Sequence, residues 1–187
     1  MGLNDKRLWM SAVFFWGFAE ATLFFIVPDV ALTASLLFFG LGFAFRLAGL
    51  AALGALAGGV LMYVAGASDI DAARAAVGGV PLVGPDLFGR VQHEIAGAWP
   101  VNLAIGAVSG APYKLYAVEA GAAGIDPLGF AVVSVTARFL RFSLAISIAA
   151  GGFWLARRLR LGAFCGPGLA IIWGLIYTVY AAIRLTA

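Results

Sequence analysis

The chain has 187 residues, 63% of them hydrophobic and 11% charged, with a net charge of +3 and 25 glycines. Soluble domains carry about 25% charged residues, so this composition describes a membrane protein and excludes an ordinary soluble domain. The cations are scattered or sit near helix ends, which argues for topology and site chemistry and against nucleic-acid binding, and the lone Cys165 excludes an intramolecular disulfide.

The first apolar stretch, 8–45, is interrupted only by Glu20 and Asp29, with Arg46 just beyond it. As one helix it would be about 57 Å long, roughly twice a hydrocarbon core, so it must bend. A start with Lys6 and Arg7 ahead of an apolar run resembles a signal peptide, but Glu20 inside the run and the lack of a small-residue cleavage site argue for mature chain. Pro28 is the strong breaker, because it lacks a backbone donor and pushes Val27 out of the α region. Asp29 is placed to cap a second half-helix. Half-helices over 8–27 and 29–45 predict a re-entrant hairpin; two thin full spans are the alternative.

Residues 47–67 read as a conventional span, with Gly54 and Gly58 forming a close-packing face. Residues 69–95 form the polar connector, with a short interfacial helix stopped at Gly78 and Gly79 and a second starting near Pro85 and running to about Ala98. Residues 97–127 are apolar but interrupted at Gly110 and Pro112, and again at Gly121, Gly124 and Pro127. They predict a second re-entrant hairpin, with Asp126 and Pro127 as a turn. A long span follows over 128–156, and the last runs over 163–183, with Trp173, Tyr177 and Tyr180 as interface anchors.

The expected fold is therefore an all-α integral membrane protein forming a single domain. It has two inverted repeats (8–67 and 97–156), each a hairpin plus a span, and a final C-terminal span. The positive-inside rule places Lys6, Arg7, Arg46, Arg157, Arg158 and Arg160 inside, against Arg74, Arg90 and Arg184 outside. Facing broken helices are a common transporter plan, with the substrate site near the midplane.

Charged residues at membrane depth survive only where protein or a water-filled cavity surrounds them. Glu20 and Asp29 are candidates for proton carriage or for pairing with a cation. Arg138 and Arg141 are three apart and share a helix face; Arg138 falls about 15 Å into its span. The guanidinium fork suits phosphate. The same two arginines could equally neutralise Glu20 and Asp29 with no substrate present. Lys114 can snorkel to the interface or join Arg138 and Arg141 in substrate binding as an auxiliary cation, and Glu119, five positions on, does not share its helix face. His93 reads as a surface residue. There is no His-Glu-x-x-His, Gly-x-Ser-x-Gly or Walker loop, so neither an enzyme nor a cofactor or metal is expected.

The run from Phe18 through Glu20 to Pro28, Asp29 and Val30 resembles the first motif of the DedA family (the VTT, or SNARE-associated, domain superfamily). The stretch from Gly54 through Gly58 and Tyr63 to Gly66 is similar to that family's glycine-rich span. The segment from Ala111 to Ile125, followed by Arg138 and Arg141, resembles its second half, closest to the short YqaA-like branch. The likeness covers about residues 8–160. It implies two oppositely oriented re-entrant hairpins in a multi-pass, bacterial-type inner membrane protein. It also implies movement of a phospholipid or polyprenyl phosphate across the bilayer, with proton coupling. By this resemblance Glu20 and Asp29 are the acidic pair, Arg138 and Arg141 the basic pair, and Lys114 stands near a family arginine. Only Pro28 remains of the usual prolines in the first motif, Ser109 stands where an arginine is common, and Glu119 replaces an apolar residue. The expected partner is a membrane lipid with a phosphate headgroup, with protons as a second candidate; an oligomer is allowed. A non-transporting scaffold with structural charges is the competing expectation, and an intramembrane lipid enzyme the weakest.

Overall fold

The computed structural model describes residues 3–80 and 83–186, and among these there is no strand. Side chains are described except at Leu3, Pro85, Arg184, Leu185 and Thr186, so Arg184 contributes no side-chain geometry. The helices are α1 (Leu3–Ala21), α2 (Asp29–Phe39), α3 (Leu41–Ser68), α4 (Ile70–Gly78), α5 (Pro85–Ala96), α6 (Trp99–Ser109), α7 (Tyr113–Ala122), α8 (Pro127–Arg158) and α9 (Cys165–Thr186). Among the described residues three helical stretches, Leu41–Ser68, Pro127–Arg158 and Gly162–Ile183, are long and apolar enough to cross a membrane.

Helix α3 is the axis of the molecule, because its small residues let backbones approach on both of its halves. On the first half, Gly54 lies so close to the Phe14 carbonyl that no Cβ fits between them. Lys6 meets the Phe43 ring at the start of α3, and Phe18 and Ala21 meet Gly58 further along, so α1 runs parallel to α3. Helix α2 then returns until Phe39 meets Trp9 with ring centroids 5.7 Å apart. On the second half of α3, Gly59 underlies Tyr113, Gly66 abuts Val118, and Gly121 abuts Tyr63, so α7 also runs parallel to α3. Helix α6 leads into α7 from the far end, where Trp99 stands beside Gly129. The pairs α1–α2 and α6–α7 are thus two hairpins that open at opposite ends of α3. Helix α8 runs back along both: Phe130 faces Tyr63 in one core, and Phe142 and Ile146 join Val13 and Leu47 in the other.

Several boundaries depart from expectation. Helix α1 stops at Ala21, not at residue 27: Thr22 N and Phe24 N both donate to the Ala19 carbonyl, at 3.1 and 2.8 Å, which closes the last turn. The following loop is held by Trp16, whose indole donates to the Ile26 carbonyl at 2.9 Å. The second half-helix ends at Phe39, not 45: Gly40 takes φ +79°, a left-handed value open to glycine, and α3 starts at Leu41 rather than 47. Pro28, not Asp29, holds the cap position of α2. Gly110, at φ +84°, and Pro112 do separate α6 from α7. Gly121 does not break the chain; it lies inside α7, where the Tyr63 carbonyl requires a residue without Cβ. Asp126 is more than a turn residue, since its carboxylate accepts from Gly129 N at 2.6 Å and caps α8.

Candidate functional site

The two hairpin tips meet. Lys114, at the start of α7, donates its ammonium to the Phe24 carbonyl in the loop after α1 at 2.6 Å. That carbonyl is free to accept because the loop is non-helical. Lys114 is only 2% exposed, so it does not snorkel: a neighbouring hairpin supplies the acceptor that an interface would otherwise provide. Among the described residues no carboxylate lies within ion-pair distance of it.

Beside this contact stand the other four charges singled out in the sequence. Arg138 Nη1 lies 3.0 Å from Glu20 Oε2, and its Nη2 donates to Oε1 at 3.3 Å. Its guanidinium stacks 4.3 Å above the Tyr113 ring. One turn along α8, Arg141 Nη1 lies 2.9 Å from Asp29 Oδ2. Both pairs join the first hairpin to α8; the first is buried, while in the second Asp29 is buried and Arg141 is 20% exposed. The Arg138 Nε proton is buried and has no acceptor among the described protein groups. Counted at their ordinary charges, two carboxylates face three cations, a formal surplus of one positive charge.

A cavity of about 210 Å³ opens here, with Glu20, Lys114, Arg138 and Arg141 in its wall. Asp29 is not in the wall; it sits behind Arg141. Phe24 and Val27 of the first tip, Gly110 and Pro112 of the second, Val80 and Val83 of the connector, and Trp173, Tyr177 and Tyr180 of α9 also line it. Pro28 and Gly121 lie outside the wall and act on the backbone alone.

Sequence reading missed the role of α9. Trp173 donates to Thr33 Oγ1 at 3.0 Å, and the Tyr177 hydroxyl accepts from Val27 N at 2.9 Å, so both aromatics brace the first hairpin. Their i,i+4 spacing shows one face, but nothing local names the partner. Also missed was the Arg74 fork on Glu119, two contacts of 2.8 Å that tie α4 to α7. The Glu119 hydrogen bond raises the Arg74 pKa above its ordinary value. A glutamate inside an apolar run was the available signal. The Tyr116 hydroxyl donates to Glu94 and ties α5 to the same helix. His93 is exposed on α5, as its polar surroundings indicate.

No protein-family model matches the chain, and neither a curated protein nor a solved structure does.

Proposed function

We propose that this is a transporter or scramblase that moves a phosphate-bearing lipid across a bilayer, in the manner of the DedA family. The observation that carries the reading is the surplus cation: Lys114 lines a cavity beside two arginines already matched by carboxylates. An unmatched buried charge is costly, and an entering phosphate relieves that cost. Phosphate pairs with Lys114 and competes with Glu20 and Asp29 for the guanidinium forks of Arg138 and Arg141. Protonation of either carboxylate releases its arginine to the ligand, and that is the proposed route of proton coupling.

In this reading the two hairpins are re-entrant and belong to inverted repeats. Support comes from length in three of the four arms: α2, α6 and α7 have 11, 11 and 10 residues, about 15–17 Å of helix, roughly half a hydrocarbon core, while α1 has 19. Opposed openings on α3 and tips that meet at Lys114 agree with such a plan.

A scaffold reading is favoured by one specific fact, that both arginines are already paired across elements. Vesicle-reconstituted protein separates the two. With a fluorescent phospholipid, Lys114→Met and Glu20→Gln should each lower the rate of transbilayer movement severalfold. Lys114→Met should melt close to wild type, since the lysine pairs with no carboxylate. Unchanged movement in both variants would sink the transport mechanism, and loss of folding without any wild-type movement would establish the scaffold.

A further inference from the structure

The charged cavity has an apolar neighbour. An open groove runs along the outer side of the first tip, lined by Trp16, Phe24, Ile26, Val30 and Gly174. Phe24, Trp173 and Tyr177 line both spaces, so the groove and the cavity share a wall. The polar atoms of the aromatic residues are already engaged: Trp16 Nε1 with Ile26, Trp173 Nε1 with Thr33, and the Tyr177 hydroxyl with Val27. What they offer the groove is ring face. Gly174 keeps it open, since a Cβ there would meet nothing within 4 Å.

We infer that this groove seats the hydrocarbon tail of the same lipid whose phosphate occupies the cavity, the molecule straddling Trp173 and Tyr177. The inference rests on the phosphate-lipid reading above. Volume is the first argument. A cavity of about 210 Å³ falls below the ~300–1,000 Å³ of pockets that enclose a drug-sized ligand, so it takes a headgroup and excludes a tail. Charge is the second, because the surplus cation lies on one side of the shared wall and purely apolar lining on the other. An amphiphile matches both at once, whereas a second copy of the chain would leave the cation unmatched.

The test uses purified protein in detergent and two probes with the same phosphodiester headgroup: dipalmitoyl phosphatidylglycerol, and glycerophosphoglycerol, which lacks the tails. Gly174→Trp places an indole in the groove. It should weaken binding of the lipid about tenfold or more, the cost of overpacking a filled site, while glycerophosphoglycerol binding stays within about twofold. A milder variant, Gly174→Leu, guards against misfolding: across phosphatidylglycerols of increasing chain length, its affinity should level off at shorter chains than wild type. Equal effects on both probes, or no effect on either, would overturn the tail site. So would a change in oligomeric mass without a change in lipid binding, which would make the groove an interface between copies. If the wild type binds neither probe, it is the phosphate-lipid reading itself that fails.

Discussion

Glu20 and Arg138 stand 118 positions apart and close a buried pair. Removing one partner of such a pair leaves an uncompensated charge, which costs about 3–5 kcal/mol, whereas replacing both by apolar residues of similar volume is often neutral. Arg138→Met alone should therefore lower stability by about that amount in denaturant unfolding, and Glu20→Leu with Arg138→Met should recover most of it. The double variant should still fail to bind phosphate, since stability and ligand recognition use the same guanidinium differently. Recovery of binding together with stability would contradict the assignment of Arg138. Lys114 differs in kind, being held only by a backbone carbonyl, and so its removal tests the ligand more than the fold.

At the scale of elements, glycine has two separate uses. Gly121 lets α7 cross α3 against the Tyr63 carbonyl, and that crossing sets the height at which Lys114 reaches the opposite tip. Gly151, in α8, has open space around it. Gly121→Ala should therefore destabilise by about 1–3 kcal/mol through overpacking. Gly151→Ala should leave the melting temperature unchanged or raise it, because a helix interior prefers alanine by about 0.5–1 kcal/mol. Thermal melting in detergent reads both, and equal effects would mean that the close crossing does not limit stability. The connector also acts as an element: the Arg74–Glu119 fork and the Tyr116–Glu94 hydrogen bond fasten α4 and α5 onto α7, behind the second tip.

For the whole molecule, the contacts place Lys6 and Phe43 at one end of α3 and the Arg74-bearing helix α4 at the other. The positive-inside bias then becomes a statement about two faces of one body. In sealed cells, single cysteines placed at Lys6 and at Gln92 should be labelled by a membrane-impermeant reagent from opposite sides, with Lys6 inside. Cys165 is buried and should contribute little background. Labelling of both from one side would exclude the proposed arrangement of hairpins.

Much was legible in the residues alone, and for a local reason. Membrane character is a sum over composition, and the breaks near Pro28, Gly110 and Pro112 follow from local backbone chemistry, the missing donor of proline and the left-handed conformation open to glycine. The kinds of charge available to a site were equally plain, because an ionisable residue within an apolar run is conspicuous without knowing its partner. What the chain could not show by itself was pairing. Periodicity reports which face a residue occupies, and it carries no record of a partner a hundred positions away. That Arg138 and Arg141 meet Glu20 and Asp29, that Lys114 is buried against Phe24, that Glu119 belongs to Arg74, and that α9 closes the wall were all decided by tertiary packing around α3. The physical reason is desolvation: within an apolar interior each buried polar group must find its complement, and only the assembled helices determine which complement is in reach.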